Sequence, residues 1–178
     1  MKEIRLNLSK KSVRRAIQKL KATEEQMKTL ADVVSRKLAE EAVKYARTSL
    51  GNSGKDYDAS LFESIQCEPI GRGMYRIVSH NPHLWYVELG TGPVGAEDPH
   101  PKANESWYRE EGWVTAADGK DMEAKYGWTP IHLKNGDTIY YTHGQPSRHF
   151  MYDGYEYIQQ KEVVDRIVAQ AIEEVFNR

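Results

Sequence analysis

The sequence has 178 residues and a formal net charge of -1, and 39% of its residues are hydrophobic. The length suits one domain with a modest core, and a single cysteine, Cys67, excludes an internal disulfide framework and four-cysteine zinc sites. No apolar run has the length of a membrane span or the pattern of a secretion signal, so we expect a cytoplasmic product.

Charge is distributed unevenly along the chain. Residues 1–50 hold 13 Lys and Arg against 6 Asp and Glu, whereas the rest of the chain holds 12 against 20. A basic N-terminal segment, residues 1–22, can meet DNA phosphates or an acidic neighbouring subunit, and it can equally be a solvated helix face. The candidates for contact with DNA or with a partner are Lys10, Lys11, Arg14, Arg15, Lys19 and Lys21.

The first part of the chain predicts a helix with an ambiguous beginning. Residues 4–8 alternate apolar and polar side chains as a short strand does, and residues 13–20 then have helical spacing. Thr23 and Gln26 have the spacing of a capping box, and apolar residues follow on one stripe until Gly51. We therefore predict a long amphipathic helix from Thr23 to Gly51.

A hairpin is predicted after a flexible linker at residues 51–56. Residues 59–65 indicate a short helix or turn. Strands at 65–70 and 74–79 follow, and Gly71-Arg72-Gly73 joins them in the glycine-bearing connection that hairpins favour.

Residues 93–137 are the least regular part of the chain. Prolines and aromatic residues in a charged background predict an extended loop insertion with short strands, whose aromatics pack on this domain or on another subunit. A strand at 138–142 and an amphipathic helix from Tyr152 to Phe176 follow. We predict one α+β domain, residues 1–178, in which two long amphipathic helices, N-terminal and C-terminal, pack a small antiparallel sheet.

The segment Gly90-Thr91-Gly92-Pro93-Val94-Gly95 matches the letters of the dinucleotide-binding fingerprint. That fingerprint requires a helix that starts within the glycines, so that its amide groups face the pyrophosphate. Pro93, Asp98, Pro99 and Pro101 are expected to preclude such a helix. The glycines are therefore predicted to shape a turn, and no cofactor is expected.

The histidines do not form a recognised metal-binding pattern. His80 and His83, or His143 and His149, are the nearest pairs, and they lie in predicted loops with no HExxH motif or cysteine pair. Cys67 lies in a predicted strand, where a buried and inert thiol is expected. The sequence predicts no catalytic, cofactor-binding or metal-binding residues, and hence no enzyme.

Glu88 is the residue for which the sequence predicts a specific structural role. It lies in the apolar run 85–89, where a carboxylate is costly to bury unless amide groups or a cation satisfy it. We expect this run to pack on the sheet. Glu88 would accept hydrogen bonds from the turn at residues 90–92 or pair with Arg148, and would anchor the loop that leaves the sheet.

Several short segments, in order, resemble one known family. Tyr86-Val87-Glu88-Leu89-Gly90-Thr91-Gly92, the proline- and tryptophan-rich insertion, and Thr142-His143-Gly144-Gln145-Pro146-Ser147-Arg148-His149-Phe150-Met151-Tyr152 are similar to the tail-component family of siphophages and prophages named after the tenth gene product of a lambdoid coliphage. The helix ahead of residues 60–65 fits the family's pattern, with Ala59 in place of a nearby glycine. The resemblance covers most of the chain from about Thr23 onward. His149 stands where the family often has proline.

The resemblance implies a virion structural protein of the head-tail junction: a neck, tail-completion or tail-terminator subunit that is assembled in the host cytoplasm. It implies a hexameric or dodecameric homo-oligomeric ring around the DNA channel, contacts with other neck and tail proteins, and no catalytic residues, cofactor or membrane partner. The residues expected to serve structure or assembly are Tyr86, Glu88, Gly90, Thr91, Gly92, Trp107, Trp113, Pro146, Arg148 and Phe150.

In a ring each interface is heterologous, and we expect the loop from Pro93 to Thr142 to reach a neighbouring subunit or the adjoining ring. Two other functions stay open. A DNA-binding module would use the basic N-terminal segment, and a metal-dependent nucleic-acid-processing enzyme would use His80, His83 and Asp98.

Overall fold

The computed structural model describes residues 9–53, 59–116 and 122–176. These residues form an α+β structure with a long N-terminal helix, a C-terminal helix and a small antiparallel sheet, which confirms the predicted fold class. The short strand expected at residues 4–8 and part of the predicted linker, residues 54–56, lie outside the described residues. Within the described ranges, no helix combines the length and the apolar character needed to cross a membrane.

Helix α1 spans Lys10–Asn52, so it begins well before the start predicted from the sequence. Ser9 caps it, because the Ser12 main-chain N–H donates to the Ser9 Oγ atom. Thr23 lies inside the helix, where its hydroxyl donates to the Lys19 carbonyl oxygen at 3.0 Å. The capping-box prediction is wrong because the preceding residues are good helix formers with no glycine or proline among them, so the helix continues through Thr23.

A two-stranded hairpin follows, as predicted. After helix α2 (Ala59–Glu63), strand β1 (Ile65–Gly71) pairs with strand β2 (Met74–Ser79). Gly73 in the turn has φ 68°, a value that glycine adopts without strain. Its N–H donates to the Asp32 Oδ1 atom of α1 at 2.8 Å, which holds the hairpin turn to the long helix.

The segment predicted as a loop insertion contributes two strands to a second sheet. Strands β3 (Trp113–Ala116) and β4 (Thr129–His132) both pair antiparallel with β5 (Thr138–Thr142), which lies between them. The strand predicted at 138–142 is therefore confirmed. Tyr140 and Thr142 are buried on one face of this sheet. A 3-10 turn at Glu105–Trp107 precedes β3, and helix α5 (Met122–Tyr126) lies between β3 and β4.

The apolar run at residues 85–89 lies in helix α3, His83–Leu89. Leu84, Val87 and Glu88 are three and four residues apart and are buried on one side of this helix. Trp85 and Tyr86 are about half exposed. The helical repeat therefore turns two aromatic residues outward, where the sequence predicts that the run as a whole packs on the sheet.

Helix α4, Gly92–Glu97, starts within the glycines, so the prediction that prolines preclude a helix there is wrong. Pro93 lies in the first turn, where a missing N–H leaves no helical hydrogen bond unmade. The dinucleotide fingerprint still lacks its structural context. Helix α3 rather than a strand precedes Gly90, and α4 has six residues.

Helices α6 (Phe150–Ile158) and α7 (Lys161–Phe176) replace the single C-terminal helix predicted from the sequence. At the break, the Gln159 N–H donates to the carbonyl oxygen three residues earlier, instead of four residues earlier as in an α-helix. The buried side of α7 includes Ile167, as predicted, whereas Ile172 is exposed. Nothing in the sequence marks the break, since neither glycine nor proline occurs there.

Close contacts group the chain into two compact units. Unit 1 comprises Met1–Tyr45, Gln66–Val78 and Gly154–Arg178, and unit 2 comprises Ala46–Ile65 and Ser79–Asp153. Unit 1 holds 17 Lys and Arg against 12 Asp and Glu, and unit 2 holds 8 against 14, so the units have opposite formal charges. The prediction of one domain over the whole chain stays a prediction.

Candidate functional site

The Glu88 carboxylate in unit 2 is buried, with 2% of the residue exposed. Its Oε1 atom accepts a hydrogen bond from the Tyr152 N–H at 2.9 Å and lies 3.0 Å from the His100 Nε2 atom. Its Oε2 atom accepts from the Met151 N–H at 2.9 Å. Both main-chain donors belong to the first turn of α6. A carboxylate from a distant segment therefore caps this helix, and its negative charge interacts favourably with the positive end of the helix dipole.

His100 is oriented by bonds at both ring nitrogens. Its Nδ1 atom accepts from the Lys102 N–H at 3.0 Å, which places the ring hydrogen on Nε2 and makes Nε2 the donor to Glu88. The His100 main-chain N–H donates to the Tyr108 hydroxyl, and that hydroxyl donates to the Leu89 carbonyl oxygen, each at 2.9 Å. The loop insertion is thereby tied to the end of α3.

The main chain at the end of α3 also pairs with the segment before α6. The Ser147 hydroxyl donates to the Glu88 carbonyl oxygen at 2.8 Å, and the Arg148 N–H donates to the same oxygen at 3.3 Å. Thr91 and Gln145 exchange main-chain hydrogen bonds of 2.9 and 3.1 Å in an antiparallel bridge. The group that we name the Glu88 cluster consists of Glu88, His100, Tyr108, Ser147 and the first turn of α6.

Two glycines let these segments approach each other. Gly92 and Gly144 have φ values of 62° and 94°. A Cβ atom at Gly92 would lie 2.5 Å from the His143 carbonyl oxygen, and one at Gly144 would overlap the Thr91 carbonyl oxygen. Carbonyl oxygens occupy the space beside these glycines and would repel a phosphate, so the glycines serve close main-chain approach.

The chemistry open to the Glu88 cluster is limited by its internal bonding. Both carboxylate oxygens of Glu88 and both ring nitrogens of His100 take part in hydrogen bonds within the cluster or beside it. The Ser147 hydroxyl donates to a main-chain carbonyl and so is not activated by a base. A buried carboxylate with three donors is stabilised rather than reactive. The cluster therefore has the properties of a structural lock.

Most of the predicted structural residues lie in or beside this cluster. The Trp107 Nε1–H donates to the Gly90 carbonyl oxygen at 3.0 Å. The Trp113 ring packs on Gly92, where a Cβ atom would lie 2.7 Å from the ring. Phe150 is fully buried at the start of α6. Trp107 and Trp113, two aromatics of the insertion, thus contact their own unit, which is one of the two outcomes that the sequence leaves open, although Trp107 stays partly exposed.

The predicted partners of Glu88 are wrong. The turn at residues 90–92 directs the Thr91 N–H to Gln145, and Arg148 meets Glu88 through its main-chain N–H rather than through an ion pair. The α6 amides and His100 satisfy the carboxylate instead, because α3 places it at the N-terminal end of that helix. Tyr86, a predicted assembly residue, is half exposed on the outer side of α3. Pro146 lies in the paired segment between Gln145 and Ser147.

The candidate metal ligands are not brought together. Among the residues that the structure describes, no group of three His, Cys, Asp or Glu side chains could hold a metal ion, so His80, His83 and Asp98 do not form one. Cys67 in β1 is half-buried, whereas the sequence predicts a buried thiol. Strand β1 belongs to a sheet of two strands, which leaves much of its surface open.

Sequence reasoning misses His100 and Tyr108. His100 lies between Pro99 and Pro101, and prolines on both sides restrict the histidine main chain. That restraint is the one signal in the sequence that this histidine is held in place. Tyr108 has no comparable signal, because its hydroxyl bonds depend on how the loop folds back on α3.

His149 has a main-chain conformation that proline cannot adopt. Its φ is 52° and its N–H donates to the Glu88 carbonyl oxygen at 3.3 Å. Proline cannot adopt that φ, and it has no N–H group to donate the hydrogen bond. The His149 ring packs edge-on against the His100 ring, with centroids 5.0 Å apart, so it adds packing to the Glu88 cluster.

The predicted DNA or partner contacts lie on the first turns of α1 in unit 1. No acidic residue occurs between Ser9 and Thr23, so all the charged side chains on this part of the helix are basic. The exposed bases are Lys10, Lys11, Arg14, Arg15, Lys19 and Lys21.

None of the protein-family models, curated proteins or solved structures compared with this chain matches it.

Proposed function

We propose that the chain is a structural subunit of the head-tail junction of a phage or prophage. In this role it is a neck, tail-completion or tail-terminator protein that assembles into a ring around the DNA channel and catalyses no reaction. The proposal starts from the resemblance of residues 86–92 and 142–152 to the phage tail-component family.

The observation that carries most weight is that these two segments meet in the Glu88 cluster. Glu88 from the first caps the helix that begins in the second, and Gly92 and Gly144 allow their main chains to touch. Glu88, Gly92, Gly144 and Ser147 therefore each have a structural role in this contact. This supports a role in which the segments maintain a rigid unit for assembly.

Charge supports assembly into a ring. Unit 1 is basic and unit 2 is acidic. In a cyclic ring each subunit presents one face to the neighbour on one side and a different face to the other neighbour. Opposite charges on the two units favour such head-to-tail association of identical copies.

The proposal is tested by locating the protein in virus particles. An epitope-tagged copy would be expressed in cells that carry the gene with its genomic neighbours, and released particles would be labelled with gold-conjugated antibody. We expect gold at the junction of head and tail, and separate heads and tails when the gene is deleted. Tailed particles without gold, normal particles after deletion, or no particles at all would contradict the proposal.

DNA binding is a second candidate, and the basic surface on the first turns of α1 favours it. We expect a duplex to bind with an affinity that falls steeply with salt. The double variant Arg14→Gln, Arg15→Gln should reduce the slope of log K against log salt by about 2, since each phosphate contact contributes about 0.9. Lys161→Gln on α7 is the matched control. Absence of binding at low salt would exclude this function.

A further inference from the structure

The outward face of the three-stranded sheet is apolar. The register places Val114 and Thr129 on either side of Tyr141, and Ala116 and Ile131 on either side of Ile139. Alternate residues of a strand point to the same side, so all six share one face. None of the six carries a charge.

On this face the residues of the two outer strands are exposed and the two residues of the central strand are half-buried, whereas the central-strand residues of the other face are buried. Val114 is 50% exposed and Ile131 is 37% exposed. Tyr140 and Thr142, which alternate with the outward residues of β5, are buried. We name the six outward residues the sheet face. A contiguous apolar surface of this kind on a folded protein indicates an interaction site.

Helix α1 carries a second open apolar surface. Val13, Ile17, Leu20 and Met27 are 42%, 48%, 57% and 53% exposed. Their spacings of four, three and seven residues place them on one side of the helix. We name these four residues the α1 stripe. Lys10, Arg14 and Lys21 lie beside this stripe and are exposed.

We propose that the α1 stripe of one copy packs on the sheet face of the next copy, so that identical chains associate head to tail. The inference rests on the proposed ring function and names the surfaces that would form its interface. Two apolar surfaces are buried together, and the bases beside the stripe meet acidic residues beside the sheet. Near the three strands four acids are exposed, Glu110, Glu111, Glu123 and Asp137, against two exposed bases, Arg109 and Lys134, so this surface is acidic on balance.

Charge favours the sheet face of a second copy over three other possible partners of the α1 stripe. Two α1 stripes packed on each other would bring two basic surfaces together, which costs free energy by repulsion. Duplex DNA would neutralise the bases and leave the stripe in water. An anionic membrane surface would accept the α1 stripe and the bases beside it but would leave the sheet face uncovered. The sheet face of a second copy covers both apolar surfaces and matches the bases with acids.

The test uses two variants that each damage one surface. Leu20→Asp places a charge in the stripe, and Val114→Lys places one in the sheet face. The matched controls are Gln18→Asp, on the opposite side of α1, and Gln66→Lys, an exposed residue of β1. Sedimentation velocity of the full chain over a range of concentrations measures association, and circular dichroism checks folding.

We expect the unsubstituted chain and both controls to associate, and each interface variant to associate at least about 30-fold more weakly, the loss expected at a central interface residue. An equimolar mixture of the two interface variants should form a dimer and stop there. In that mixture the intact stripe of Val114→Lys meets the intact sheet face of Leu20→Asp, and the two remaining surfaces are both damaged.

Other outcomes overturn the inference. A mixture that stays monomeric excludes pairing of the α1 stripe with the sheet face. If Val114→Lys associates like the controls and Leu20→Asp does not, stripes pair with stripes. An unsubstituted chain that stays monomeric also overturns the inference: binding to anionic vesicles would then assign the stripe to a membrane surface, and binding to DNA would assign the bases beside the stripe to DNA. Variants that associate like the controls exclude both surfaces. Gold labelling at the head-tail junction together with a failed mixing test would leave the proposed function and remove this interface, and the reverse pattern would remove the proposed function alone.

Discussion

The Nε2 atom of His100 lies 3.0 Å from the Oε1 atom of Glu88, and both residues are buried. This contact joins the loop insertion to α3, while the same carboxylate receives the first N–H groups of α6. One acidic side chain therefore holds three segments that are far apart in sequence. Loss of any one donor leaves the others to satisfy a buried charge.

Replacement of Glu88 by glutamine should destabilise the protein although the two side chains have nearly the same shape. The amide NH2 group would face either the Met151 N–H or the N–H groups of Tyr152 and His100, so at least one buried donor loses its acceptor. We expect the free energy of unfolding to fall by about 2 kcal/mol. Urea denaturation measures the change.

The matched control is Glu97→Gln, since Glu97 is exposed at the end of α4. Surface substitutions of this kind change stability by less than about 0.5 kcal/mol. If both variants unfold at the same urea concentration as the unsubstituted protein, the Glu88 carboxylate does not stabilise the start of α6.

His100 can be tested with a pair of substitutions. Glutamine can place an amide donor near the position of Nε2, whereas leucine removes the donor and leaves the Glu88 carboxylate with two main-chain bonds. We expect His100→Leu to lower the free energy of unfolding by about 1–3 kcal/mol and His100→Gln to lower it by less. Equal losses would show that packing, rather than the bond to Glu88, explains the contribution of His100.

Alanine substitutions at Gly144 and at Gly136 distinguish the cost of backbone strain from the cost of steric overlap. Their φ values are 94° and 91°, so alanine is strained at both positions. A Cβ atom at Gly144 would overlap the Thr91 carbonyl oxygen, whereas one at Gly136 would meet no atom within 4 Å. We expect Gly136→Ala to cost about 1–2 kcal/mol and Gly144→Ala to cost distinctly more. Similar melting temperatures for the two variants would contradict the close approach of the paired segments.

Glu25 on α1 provides a prediction about pH. The Lys28 side chain donates to the Glu25 carboxylate at 3.0 Å and holds the pKa of Glu25 below its ordinary value, with a smaller contribution from Arg72. Because the folded pKa is the lower one, the stabilisation is present above the unfolded pKa. It disappears as the pH falls through the folded pKa.

Lys28→Met should therefore raise the pKa of Glu25 toward its ordinary value, and added salt should do the same in the unsubstituted protein because this pair is exposed. Carboxyl chemical shifts in an NMR titration measure both effects. Lys19→Met, also on α1, is the control. A Glu25 pKa that does not respond to Lys28→Met would show that the ion pair does not form in solution.

Local signals predict the hairpin and the central strand of the second sheet well. Gly73 is in the turn with the positive φ that a hairpin connection needs, and the β-rich run at 138–142 becomes β5. The start of α1 is missed for a physical reason. A cap is needed only where a helix must begin, and Thr23 follows residues that already favour helix.

The candidate site shows where local signals end. The burial cost of a carboxylate in an apolar run predicts that Glu88 needs partners, and this is correct. Which partners it finds depends on contacts 12, 63 and 64 residues away, with His100, Met151 and Tyr152. No pattern within α3 specifies a donor at that distance, so the nearby glycine amides and Arg148 are natural but wrong choices.

The division of the chain into units has a consequence for synthesis on the ribosome. Unit 1 combines residues 1–45 with residues 154–178, so α1 is translated long before the helix that completes its unit. Translation at about 5–20 residues per second leaves α1 without α7 for several seconds. The α1 side chains that are buried in the folded unit, among them Val33, Ala39 and Ala42, are exposed during this time, and chaperone binding to α1 is expected until α7 emerges.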